Sequence, residues 1–149
     1  MTLVAAAALL AWAYIGFIRL RAQAGAPRLE PRAALSPAPP AAAIIPARDE
    51  ADTIRAAIAS HFACDYAGRL DIVLVDDGST DGTAGIAREA AANAKRARGE
   101  RTLTIVQAPP PPSGWSGKLA ALDAGVEAAR RVAPHARYYL FADADIVLA

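Results

Sequence analysis

At 149 residues, 54% of them hydrophobic, the chain is long enough for one folded domain and too apolar for a disordered segment. A net charge of +1 argues against nucleic-acid binding driven by bulk electrostatics, and a single cysteine, Cys64, excludes an internal disulfide and a cysteine-built zinc site. The charge is uneven: residues 1–40 carry four arginines against Glu30 alone, whereas residues 41–149 carry twelve Lys and Arg against fourteen Asp and Glu.

In chain order, Thr2–Ile18 is an uncharged run of 17 residues, at the low end of what spans a bilayer. Trp12, Tyr14 and Phe17 crowd its carboxyl end, where interfacial aromatics sit, and Arg19 and Arg21 follow at once. A membrane anchor over residues 1–22 accounts best for that switch. Two other readings stay open. A cleaved signal peptide has a small-residue site at Ala22-Gln23-Ala24, but no basic segment precedes the apolar run. A buried core helix also suits the length. With the anchor, the excess of positive charge places the amino terminus outside and the rest in the cytoplasm, as a single-pass protein of the inner (cytoplasmic) membrane. Residues 23–40 are rich in proline and alanine and read as a semi-rigid linker to a domain over residues 41–149.

From residue 41 the apolar residues alternate between short runs and helical spacing. Ala41–Pro46 reads as a strand. Over Glu50–Phe62, Ile54, Ala57, Ile58 and Phe62 share one face, which predicts an amphipathic helix. Leu70–Val75 is a nearly continuous apolar run, as expected of a parallel strand buried on both faces. Asp81–Arg98 is helical by composition, with Lys95, Arg96 and Arg98 near its end and Gly99 as its stop. Leu103–Val106 is a third strand. Leu119, Leu122, Val126 and Ala129 mark a helix that Pro134 ends, and Arg137–Ala142 is a fourth strand. The alternation predicts an α/β domain with a Rossmann-like parallel sheet and right-handed crossovers, preceded by one N-terminal transmembrane helix. The sequence stops seven residues after Ala142, which reads as a truncated chain.

Acidic residues gather where these strands end: Asp49 and Glu50 after the first, Asp76 and Asp77 after the second, Asp143 and Asp145 after the fourth. In a parallel α/β sheet, ligands bind outside the carboxyl ends of the strands. Neighbouring strands lie about 4.8 Å apart, so these carboxylates crowd together, which a divalent cation or hydrogen-bond donors would relieve. Asp143-Ala144-Asp145 has the spacing for two carboxylates on one hard cation that bridges phosphate oxygens. A plain strand-end turn is the bland alternative. A phosphatase of the haloacid-dehalogenase type places the same pattern at its first strand, not its fourth. Asp76 and Asp77 suit acceptance from a base imide or ribose hydroxyls, with Gly78 turning the chain and Ser79, Thr80 or Asp81 capping the next helix. The match of Asp77, Ser79, Asp81 and Gly82 to a calcium loop fails, because Arg88 stands where the bidentate glutamate belongs. Lys118 opens the third helix of the domain between glycine-flanked residues, an anion site though not a P-loop, and Trp115 is placed to pack on a substrate ring. Asp49 either caps its helix or touches the nucleotide. His61, His135 and Cys64 read as ordinary surface, helix-end or inert residues.

Four segments in order, IIPARDEADTI, IVLVDDGSTDGTA, GWSGKLAALDAGV and YYLFADADIVLA, resemble the family 2 glycosyltransferases of GT-A fold over roughly residues 42–149. The GWSGKL element and the amino-terminal anchor look closest to the hopene-associated subgroup. The resemblance implies an inverting transferase that takes sugar from a nucleotide-diphosphate sugar with Mg²⁺ or Mn²⁺ as divalent cation. It places Asp49 and Glu50 near the base or ribose, Asp77 beside Asp76 on the base, and Lys118 near the nucleotide. Asp143 and Asp145 would then hold the metal-diphosphate. The family's catalytic base lies downstream of the Asp-x-Asp element, so none is named here. The acceptor expected from the anchor is a lipid or another membrane-proximal molecule, with no nucleic acid as partner. A sugar-phosphate nucleotidyltransferase is disfavoured by the absence of a glycine- and arginine-rich loop after the first strand, and a non-catalytic nucleotide-sugar-binding remnant stays open.

Overall fold

The structure, a computed structural model, describes residues 2–24, 36–94 and 99–148. It divides into two units, Met1–Ala33 and Ala34–Ala149. The first holds helix α1 (Thr2–Ala24). Its side chains are described over residues 8–21, and Leu9, Leu10, Trp12, Tyr14, Ile15, Phe17 and Ile18 are all exposed. Arg21 lies over the Phe17 ring at 5.4 Å. The expected transmembrane segment has no counterpart among the described residues, where no helix is long and apolar enough to cross a membrane. Most of the expected linker, residues 25–35, lies outside the described residues.

The second unit is a three-layer α/β fold. Its elements are β1 (Ala41–Ala47), α2 (Ile54–Ala63), β2 (Leu70–Asp76), α3 (Thr83–Asn93), β3 (Arg101–Gln107), α4 (Gly117–Val132) and β4 (Tyr138–Phe141). Among the described residues the sheet has the order β3-β2-β1-β4, with every neighbouring pair parallel. The apolar run of β2 is buried along its whole length, since helices cover both faces. Alternation divides the strand residues between two cores. Ile45, Ile72 and Leu74 pack with Ile54, Ile58 and Phe62 of α2 and Ala87 of α3. Ile44, Val73 and Val75 pack under Ala121, Ala128 and Ala129 of α4.

The structure departs from the sequence reading in four places. Helix α2 begins at Ile54, not Glu50, because residues 50–53 form a turn in which Thr53 and Ile54 donate their N–H groups to the Glu50 carbonyl. Helix α3 ends at Asn93, and residues 95–98, with Lys95, Arg96 and Arg98, lie outside the described residues. Helix α4 buries Ala120, Ala121, Gly125, Ala128 and Ala129, whereas Leu119 is exposed and Leu122 and Val126 are half-buried. A Cβ on Gly125 would collide with Ile44 Cγ2 and lie 2.9 Å from Val75 Cγ2, so the helix rests too close to the sheet for larger side chains. His61, expected at a surface or helix end, is fully buried with Nδ1 2.9 Å from the Ala57 carbonyl, and burial pushes its pKa below the ordinary value.

Candidate functional site

The chain steps from β1 to β2 to β3 in one direction and then crosses to lay β4 on the other side of β1. That reversal is the topological switch point where open parallel sheets bind ligands. Pairing of β4 with β1 stops at Ile44↔Phe141, so Pro46 has a neighbour only in β2. A proline without an N–H is tolerated in β1 because β4 has already diverged there. The divergence opens a cavity of about 250 Å³. Its charged lining is Arg48 and Glu50 from the loop after β1, Asp77 from just after β2, Lys118 from the first turn of α4, and Asp143 and Asp145 after β4. A larger cavity of about 450 Å³ beside the amino ends of β1 and β4 is lined by residues such as Leu70, Tyr138 and Leu140, with no charged residue. Its chemistry suits no phosphate, so the smaller cavity is the candidate site.

Lys118 donates from Nζ to Asp143 Oδ1 at 2.7 Å, and both side chains are more than half exposed. That hydrogen bond and the charge of Asp143, with a smaller push from Asp145, hold the Lys118 pKa above its ordinary value. Helix α4 presents Lys118 there because Ser116 caps it, Oγ accepting from the Leu119 N–H at 3.2 Å. Asp77 is mostly covered. Its Oδ2 lies 3.5 Å from Arg48 Nη1 and 2.7 Å from where a Cβ on Gly117 would stand, so a larger residue at 117 would push that carboxylate back. Asp143-Ala144-Asp145 makes a turn in which Ile146 donates to the Asp143 carbonyl, and Ala144 is buried in the core beneath both exposed carboxylates.

Of the residues singled out in the sequence, Glu50, Asp77, Lys118, Asp143 and Asp145 are brought together, while Asp49 and Asp76 are not among the lining residues. Asp76 is buried and accepts from the Ser79 N–H and from Gln107 Nε2, both at 2.9 Å. Burial pushes its pKa up, and these hydrogen bonds outweigh that and leave it below the ordinary value. Asp49 sits at φ 53, a left-handed conformation in which a short polar side chain is tolerated. It caps no helix: its Oδ1 accepts from the Thr80 N–H at 2.8 Å, and its own N–H donates to Ser79 Oγ at 3.0 Å. Glu50 and Ala51 donate their N–H groups to Thr83 Oγ1 and Asp81 Oδ2. These bonds lace the loop after β1 to the loop after β2. Gly82, not Ser79, Thr80 or Asp81, occupies the N-cap of α3. The Glu50 carboxylate accepts from Thr53 Oγ1 at 2.7 Å. Sequence reasoning missed Arg48 and the seat that Gly117 gives Asp77. The signal for both was position, each standing beside a residue already singled out.

The family model described as Glycosyl transferase family 2 matches residues 42–149, which take in the whole sheet except Ala41. The chain belongs to this family. A crystal structure of S. aureus TarS, residues 1–349, is similar in fold, with a TM-score of 0.52 and 22% sequence identity. The match covers 72% of this chain and 28% of that one, so this family 2 chain spans well under a third of the structure it resembles. No curated protein matches the chain at a significant level.

Proposed function

We propose that the chain is the donor-binding portion of an inverting glycosyltransferase, which transfers sugar from a nucleotide-diphosphate sugar to a lipid or other membrane-proximal acceptor. The observation that carries this reading is the convergence of Asp77, Lys118, Asp143 and Asp145 on one cavity at the switch point. Membership of family 2 supports the reaction class. In this reading Asp77, seated on Gly117, accepts a hydrogen bond from the base, and Glu50 faces the ribose. Lys118 leaves Asp143 to meet the diphosphate, whose negative charge replaces the carboxylate that pairs with it in the free chain. Asp49 and Asp76 hold the loops that present these groups.

Among the described residues, no group of three or more His, Cys, Asp or Glu side chains is placed to hold a metal ion. The donor set nevertheless fits Mg²⁺ or Mn²⁺ that arrives with the donor. Mg²⁺ typically takes one or two protein carboxylates and fills its other positions with phosphate and water oxygens. Asp143 and Asp145 would hold it, and when bound it supplies positive charge against the departing diphosphate.

Calorimetric titration with UDP-, GDP- and dTDP-sugars, with and without Mn²⁺, tests the reading. Binding of one donor, strengthened by Mn²⁺, is the expected result, and no binding of any of them sinks it. Transfer assays with a membrane extract as acceptor then separate a transferase from a non-catalytic remnant. We also propose that α1 fastens the protein to the cytoplasmic membrane with the family 2 domain inside the cell. Apolar residues run all round its axis over residues 8–18, with no polar stripe. Assignment to the hopene-associated subgroup rests on this helix and the Gly114–Leu119 element. Removal of residues 1–22 should shift the protein from the membrane pellet to the supernatant, and persistence in the pellet would count against the anchor.

A further inference from the structure

The cavity at the switch point is lined by four carboxylates, Glu50, Asp77, Asp143 and Asp145, and by two cations, Lys118 and Arg48. A nucleoside diphosphate is an anion that such an acidic lining repels, so each cation within reach matters. Both cations are paired with carboxylates of the same cavity. Lys118 makes a short hydrogen bond to Asp143, whereas Arg48 Nη1 stands 3.5 Å from Asp77 Oδ2, beyond ordinary hydrogen-bond length. The two members of this looser pair are held very differently. The Asp77 side chain is 18% exposed and seated against Gly117, whereas that of Arg48 is 67% exposed. The backbone that carries Arg48 is fixed from the next residue, because Asp49 is hydrogen-bonded to both Ser79 and Thr80. Arg48 is therefore a free-ended cation on a fixed root at the cavity wall.

We propose that Arg48 is a diphosphate-binding residue: it leaves Asp77 when the donor enters and pairs with the donor's phosphate oxygens, facing Lys118. This rests on the nucleotide-sugar reading above and adds a residue to it. The exchange leaves no charge stranded. Asp77 loses a loose cationic partner as it gains a donor from the base, and the guanidinium exchanges one carboxylate oxygen for phosphate oxygens that its planar fork of N–H groups fits.

Arg48→Ala and Arg48→Lys test it by calorimetry in the presence of Mn²⁺, with whichever of UDP, GDP and dTDP the wild type binds most tightly, and with the matching nucleoside. Direct contact predicts that Arg48→Ala weakens the diphosphate about ten-fold or more. Nucleoside affinity should stay within about two-fold, and Arg48→Lys should recover part of the loss because it keeps the charge without the fork. Equal weakening of nucleoside and diphosphate would overturn the proposal and leave Arg48 a positioning residue for Asp77. Unchanged affinity for both would overturn it outright. Wild-type protein that binds none of the three diphosphates would remove the nucleotide-sugar reading itself and the Arg48 assignment with it. Arg48 is exposed, so circular dichroism should show both variants folded.

Discussion

Substituting Gly117 by Ala should damage ligand binding while leaving the fold intact. The added Cβ would stand 2.7 Å from Asp77 Oδ2, and the nearest ordinary contact is 3.4 Å, so the carboxylate must retreat by about 0.7 Å. That retreat costs little stability, because the clashing atom is the far end of a side chain and alanine is the better helix former. At the site it costs more. A hydrogen bond of about 2.9 Å stretched by that distance passes the length at which it counts as one. Losing a hydrogen bond to a charged group is worth about 1.5–3 kcal/mol, or roughly 10- to 150-fold in affinity. The assay is calorimetry with the preferred nucleoside diphosphate, paired with thermal melts, on Gly117→Ala, Asp77→Ala and the double variant. If the glycine acts through Asp77, its substitution changes nothing further once Asp77 is gone, and the two effects fail to add. Full additivity, or Gly117→Ala binding like the wild type, would refute the reasoning.

Replacing Asp143 and Asp145 together by Asn should abolish the strengthening of nucleotide-sugar binding by Mn²⁺ and leave the melting temperature nearly unchanged, since both side chains are exposed; calorimetric affinity that still responds to Mn²⁺ would count against the metal role. Gly125→Ala should destabilise by about 1–3 kcal/mol through overpacking against Ile44 and Val75, partly offset by helix propensity, whereas Gly85→Ala in α3, with open space around its Cβ, should stabilise slightly; denaturant melts of the pair compare them directly. Because burial holds the His61 pKa below its ordinary 6.5, the unfolded chain binds that proton more readily, and stability is full above pH 6.5 and falls as pH drops towards the lowered value. His61→Gln should remove this part of the pH dependence and leave the later loss below about pH 3.8, where Asp71 and Asp76 protonate; an unchanged profile would show that His61 contributes nothing to it.

The strands were legible because they are short and mostly apolar, too short for helices, Leu70–Val75 most clearly. Their parallel order followed from the helical spacing between them, and with it the gathering of acidic strand ends on one rim. The role of each carboxylate was not legible. Asp76 and Asp77 are adjacent and chemically identical, yet alternation along a strand turns one into the interior and the next towards the cavity. Asp49 was equally ambiguous, because its left-handed backbone and its partners in the next loop depend on contacts some thirty residues away. His61 carried a readable signal: it follows Ile54, Ala57 and Ile58 at helical spacing, on the face that packs inward. The apolar residues that marked α4 located the helix but not the centre of its buried face, because hydropathy ranks Leu119 and Val126 above Ala121 and Ala128. The distance between helix and sheet, not the hydropathy of each residue, decides which of them fits.

That distance links packing to the site. Helix α4 lies close to β1 and β2 because Gly125 offers no Cβ to Ile44 and Val75, and its other inward residues are alanines. Its first turn consequently meets the end of β2, where Gly117 again offers no Cβ, this time to Asp77. Only with the helix seated there does Lys118 reach Asp143 beyond the far side of β1. A bulkier stripe would lift α4 from the sheet and carry Lys118 away from the cavity it helps to line. The small residues of α4 are thus under two constraints, one from the core and one from the charges above it. Substitution at Gly125 should be felt first as lost stability, at Gly117 first as lost affinity, although both residues serve the same close approach.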